Sequence, residues 1–143
     1  MTPEARLAAL EGRWSVRRAI RHADGARARF RGVAEWAPAG AGLRCEERGR
    51  LEQGGAAFEA ARVTLWAVEA GRLAIRLADG RHFCAVTEGW ARHDCAPDVY
   101  LMRHGFACWP CWTLRWRVTG PRKDWRALSV YAPAARDPGA GAR

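Results

Sequence analysis

Lysine is almost missing from this chain: a single one, Lys123, stands against 23 arginines in 143 residues. That skew, together with abundant alanine and glycine, reads as the imprint of a GC-rich genome. The net charge of +9 is therefore partly compositional and raises the local concentration of anions without marking a site. No stretch comes near the roughly 18 uninterrupted apolar residues of a membrane helix. Met1 to Trp14 carries Glu4, Arg6, Glu11 and Arg13 and has no apolar signal-peptide core, so a cytoplasmic location is expected. The five cysteines, Cys45, Cys84, Cys95, Cys108 and Cys111, are an odd set without an export signal. A disulfide framework is excluded on that reading, and free, mostly buried thiols are expected. Internal repeats and low-complexity segments are also lacking, and past Gly12 there is no helical block.

What is present is alternation. Thr2-Pro3-Glu4 supplies an N-cap, a proline for the first turn and an early acid, so a short helix is expected to run to Gly12 with Leu7 and Leu10 on its apolar face. From Arg13 to His22 the period becomes two, with Trp14, Val16 and Ile20 opposite Arg13, Ser15, Arg17 and Arg21. Ala23-Asp24-Gly25 turns the chain, and Arg27 to Trp36 alternates again. The same logic gives segments at 43–52, 57–69, 72–78, 81–87, 97–103, 112–119 and 125–131. Nine strand-like segments joined mostly by short turns exclude a parallel α/β sheet, which needs long crossovers. A sandwich is the alternative, but successive hairpins with one apolar face each favour an all-β, single antiparallel up-and-down barrel, which removes exposed edges. With 49% apolar residues the chain has material for one core, in a single domain over 1–133. A fraying tail is expected over 134–143.

Gly12-Arg13-Trp14, following a short helix and opening the first strand, resembles the Gly-x-Trp start of the lipocalin and fatty-acid-binding (calycin) barrels. Along most of its length the chain also resembles a bacterial family of unknown function with a lipocalin-like barrel. That likeness is carried by Leu10-Glu11-Gly12-Arg13-Trp14, Phe58-Glu59-Ala60-x-Arg62, Asp79-Gly80-Arg81, His93-x-Cys95-x-x-Asp98-x-Tyr100 and Gly120-Pro121-Arg122-Lys123-Asp124-Trp125. Trp125 stands where the family pattern has tyrosine, and Cys108-Trp109-Pro110-Cys111 is not part of the pattern. The resemblance implies the fold and no activity. It also implies that Trp14 plugs one end of the barrel with a basic residue across its ring, for which Arg122 and Lys123 of the last turn are the candidates.

Polar residues that fall on the apolar face are the informative ones. Arg18 continues the face of Trp14 and Val16, Glu47 that of Leu43 and Cys45, and Arg62 that of Phe58 and Ala60 toward Trp66. Buried charges need partners, so Arg18 and Arg62 should meet Glu47, Asp98 or an anionic ligand. Arg18, Glu47, Arg62, Trp66, His93 and Tyr100 are accordingly the candidate ligand-binding residues. The densest reactive cluster is His93, Cys95, Asp98 and Tyr100, a candidate acid–base or nucleophilic set that lacks a recognisable oxyanion hole. Its plain reading is a strand start whose His and Asp hold a loop.

His93, Cys95, Cys108 and Cys111 are zinc-ligand types, although a strand is expected between the two pairs. Redox work by Cys108-x-x-Cys111 would need a helix after it, and a strand follows. Trp112, Leu114, Trp116 and Val118 share one face and Arg115 and Arg117 the other, which favours core over a base-stacking platform. The leading expectation is a carrier or sensor that binds one small, partly apolar, anionic molecule. A small-molecule enzyme built on the His93 cluster, nucleic-acid binding by the Arg-rich outer face, and haem held by His82 or His93 are the alternatives. No cofactor is expected under the leading one, and a homodimer stays open.

Overall fold

The computed structural model describes residues 1–134. The expected tail therefore lies, over 135–143, outside the described residues. Helix α1 (Pro3–Leu10) begins as its sequence dictates, with the Thr2 hydroxyl accepting the Ala5 N–H at 3.1 Å. Gly12 adopts φ 125, a conformation open chiefly to glycine, and this turns the chain from the helix into the first strand.

Ten strands follow: β1 (Gly12–His22), β2 (Arg27–Ala39), β3 (Gly42–Gln53), β4 (Ala56–Glu69), β5 (Arg72–Leu77), β6 (His82–Val86), β7 (Ala91–Cys95), β8 (Asp98–Gly105), β9 (Trp112–Thr119) and β10 (Asp124–Pro133). Each pairs antiparallel with its neighbour in the order β6-β5-β4-β3-β2-β1-β10-β9-β8-β7. Because β1 pairs with both β2 and β10, the first and last strands are joined and the sheet curls into a nearly closed barrel. The one seam lies between β6 and β7, which carry no ladder to each other. The up-and-down barrel expected from the alternation is the observed fold. No helix among the described residues is long and apolar enough to cross a membrane.

The strand count differs from the expected nine by β7. Its five residues alternate too weakly in hydrophobicity to announce a strand. Pro97 does not break a run; it sits with Ala96 in the turn between β7 and β8, where its missing N–H is not needed by the ladder.

The barrel has two unlike ends. At the helix end Leu10 is fully buried, and the Trp14 indole N–H donates to its carbonyl at 2.8 Å. Around them pack Trp36, Trp66, Trp112 and Tyr131, largely edge to face, with Trp112 and Tyr131 stacked at 4.0 Å. Such contacts add to the burial of large apolar surfaces and pack this half of the lumen. At the far end, marked by the turns at 54–55, 96–97 and 120–123, inward residues stay half-buried: Ile20, Leu51, Phe83, Tyr100 and Trp125. Phe58 shares the inward face of Leu51, its ladder partner, yet is 54% exposed. That end is an open cup.

The cup owes its shape to a glycine pair. Gly32 on β2 and Gly49 on β3 face each other in the ladder. A Cβ on Gly49 would fall on the Arg31 carbonyl, and one on Gly32 on the Arg48 carbonyl. Gly49→Ala is expected to lower stability by about 1–3 kcal/mol, as overpacking does. Gly89→Ala, where nothing lies within 4 Å of the added Cβ, should melt as the parent does. Thermal melts followed by circular dichroism compare the two.

Candidate functional site

The floor of the cup is polar. Arg18 (β1), Glu47 (β3), Arg62 (β4), and Ser129 and Tyr131 (β10) point into the lumen from four strands. They meet because ladder partners on one face are neighbours across the sheet: Glu47 is opposite Arg62, and Arg18 opposite Ser129. Glu47, only 4% exposed, is the hub. Its Oε1 accepts from Arg18 Nη2 at 2.8 Å, and its Oε2 accepts from the Tyr131 hydroxyl at 2.6 Å and from Arg62 Nη2 at 3.2 Å. Arg18 also donates through Nε to the Ser129 hydroxyl at 2.6 Å and through Nη2 to the Tyr131 oxygen at 3.1 Å.

Burial alone would raise the Glu47 carboxyl, but the Arg62 and Arg18 guanidinium groups, with the Tyr131 hydroxyl, reverse this and hold it at about 2. The same burial and the Glu47 charge push the Tyr131 phenol above its ordinary range, so it remains a donor.

The two arginines are not equivalent. Arg18 is 13% exposed and held by three partners. Arg62 is 38% exposed, makes one long bond to a carboxylate that already has two donors, and lies 4.7 Å over the Trp116 ring. Two arginines against one glutamate leave one positive charge over, and it resides at the accessible member. Trp116 Nε1 is buried with no partner among the described residues. Asp98, considered as a partner for these arginines, instead takes Lys123 at 3.2 Å.

His93 and Tyr100 are ladder partners on the inner face of the cup wall and surround Phe83, with ring centroids 5.3 and 6.0 Å from it. The other two members of the reactive cluster do not join them. Cys95 is exposed at the end of β7, while Asp98 and the Tyr100 hydroxyl are tied together by Lys123. Trp66 lies deeper than expected: its Nε1 donates to Thr64 at 2.9 Å within the packed aromatic half. His82 starts β6 opposite the outward Arg76 and is exposed.

Two expectations are corrected, the cap on Trp14 and the burial of the thiols, and the zinc-ligand alternative is set against the geometry. Lys123 and Arg122 do not cap Trp14. Asp124, which follows them, neighbours Ala23, whereas Trp14 pairs with Pro133 at the opposite end of β1. Lys123 lies 5.6 Å from the Tyr100 ring centroid, and the cation at the helix end is Arg6, over Phe106 and Trp109 at 4.0 and 4.5 Å. Trp109 in turn packs on Trp14.

The zinc-ligand types are separated: Cys108 and Cys111 precede β9 at the helix end, and Cys95 is the last residue of β7 at the cup end. Eight residues of β9 lie between these levels, on the order of 25 Å of extended chain. No group of three His, Cys, Asp or Glu among the described residues could hold a metal ion. The thiols are also less buried than expected. Cys45 and Cys84 are buried and pushed by burial up to about 12, whereas Cys95, Cys108 and Cys111 are exposed.

Two features went unread in the sequence. Ser129 and Tyr131 share the inward parity of Ala127, so alternation alone could have placed them. His104, buried on β8 with neither ring nitrogen partnered among the described residues, is lowered by burial to about 4.

These features define a class: a lipocalin-like barrel, plugged at one end by helix and tryptophans and open at the other. The chain belongs to the family of unknown function DUF6314, whose model matches residues 10–133. No curated protein matches it. Among solved structures it is similar to an S-type phycobiliprotein lyase from Guillardia theta, with 9% identity, TM-score 0.68, and coverage of 96% of this chain and 95% of that one. A de novo designed fluorescence-activating β-barrel aligns at 15% identity and TM-score 0.44, over 94% of this chain and all of that one.

Glu47→Gln is expected to cost about 3–5 kcal/mol, because it leaves two guanidinium groups facing a neutral amide. Urea denaturation measures it. Acid has two separate effects. His104, depressed from 6.5 to about 4, withdraws stability as pH falls through that window. Glu47, depressed from 4.5 to about 2, contributes fully above 4.5 and is lost below it. Melting temperatures from pH 8 to 3 should fall in both windows, and His104→Leu should flatten the first alone.

Proposed function

We propose that the cup binds one small, partly apolar molecule bearing an anionic group, and that the protein is a carrier or sensor for it. The observation that carries this reading is Arg62. An inward guanidinium that is accessible, weakly held and in charge excess is the complement of a carboxylate or similar anion. Around it Leu51, Phe58, Phe83, Tyr100 and Trp125 offer an apolar and aromatic wall, and His93 adds a polar group. Barrels of this size commonly hold one small ligand, so the architecture supports the same reading. Glu47 and Arg18 then serve as the preorganised floor, and Arg62 as the group that meets the guest.

A fluorescent fatty acid and its methyl ester are the probes. The acid should bind with energy transfer from the cup tryptophans, and native mass spectrometry should give a one-to-one adduct. Arg62→Gln should weaken the acid about tenfold or more, the value of a hydrogen bond to a charged group, and leave the ester unchanged. Equal loss for acid and ester, or no binding of either, would overturn the proposal.

A further inference from the structure

The outer face of the barrel is not uniformly charged. Composition accounts for how many arginines the chain has, but not for where the acids fall. Glu46 is ion-paired with Arg44 and Arg48 on β3, Glu69 with Arg76 across β4 and β5, Asp79 with Arg81 and Asp94 with Arg92. On the opposite side, across β9, β10, β1 and β2, the pattern changes. Arg117 stands opposite Arg126, Arg126 opposite Arg21, and Arg21 opposite Arg27. These are four guanidinium groups in one row on four adjacent strands. Arg115 and Arg29 flank it in the next outward row, with Leu128 and Ala19 between them. Among the described residues only Arg117 has an acidic partner, Asp124 at 3.4 Å.

Like charges directly opposite in a ladder repel, so such a row is unfavourable until an anion bridges it. A single small anion would neutralise one or two members; a chain of phosphates suits a row about 14 Å long, at the usual strand spacing. The second observation is Trp90. It stands just before β7, is 50% exposed and lines the same groove of about 740 Å³ as these arginines. An exposed indole beside a basic track is what unpaired bases stack on, whereas a duplex hides its base faces.

We infer that the groove over β9, β10, β1 and β2 docks a single-stranded nucleic acid, with phosphates along the arginine row and a base on Trp90. This inference does not rest on the cup reading. It restores the nucleic-acid reading of the outer face through a tryptophan other than Trp112 and Trp116, which are core.

Fluorescence anisotropy with a labelled 20-mer of deoxythymidine and an RNA of the same length tests it. Four phosphate contacts predict that affinity falls about fifty-fold from 50 to 200 mM salt. Trp90→Ala should weaken binding about tenfold, as loss of a stacked base does. The double variant Arg21→Glu/Arg126→Glu should abolish it. Arg44→Glu/Arg48→Glu makes the same change in net charge where Glu46 already occupies the arginines, and it should retain most of the affinity, as should Arg62→Gln. Equal weakening by the two double variants would show diffuse charge and overturn the proposal. So would tighter binding of duplex than of single strand, an unaltered Trp90→Ala, or preference for phosphatidylglycerol vesicles over the oligonucleotides.

Discussion

Glu47 holds its carboxylate inside the lumen, out of water, and three donors from three other strands converge on it. A lone carboxylate in that position would protonate; Arg18 and Arg62 keep it charged, and the Tyr131 hydroxyl fills the remaining geometry. The interaction joins β1, β3, β4 and β10, which are not all neighbours in the sheet, so it braces the barrel across its interior as ladders cannot. It also divides the lumen. On one side aromatic rings pack against one another; on the other the walls stay half-buried and the cup begins.

That division follows from side-chain volume. Between Trp14 and Trp112 the lumen is filled by indoles, and Leu10 closes the end from above. Toward the cup the inward positions of neighbouring strands carry Gly32, Gly49, Ala60 and Ala28, whose small volume makes room for the two guanidinium groups. A charge network in so open a place is not the best way to stabilise a barrel, since well-packed apolar residues serve as well or better. On the proposed reading its value lies in a floor whose polar groups are oriented before a guest arrives, with the surplus charge at Arg62, the more exposed arginine.

Alternation was enough to find Arg18, Glu47 and Arg62, because a period of two assigns a face to every residue in a strand. The same rule, carried through β10, reaches Ser129 and Tyr131. It could not say which charges meet. Asp98 was as available as Glu47 by chemistry, and only the β9–β10 turn, which brings Lys123 beside it, gives it a different partner. The closure of Trp14 was misassigned for a related reason: a basic turn and a tryptophan can be matched by type while lying at opposite ends of the barrel. Arg6, on the helix that caps the right end, is the residue that geometry selects.

The sequence by itself determined the strands, their inward faces and the helix that starts the chain, since these depend on local periodicity, turn residues and capping. It also determined membership in a family of barrels. Which residues cover Trp14, which thiols are buried, and how the interior charges partner were decided by the tertiary structure, because each depends on distances between residues as far apart as Arg18 and Ser129. The outer arginines make the same point. Each is an ordinary outward residue on its own strand, and only the register of four strands turns them into a row.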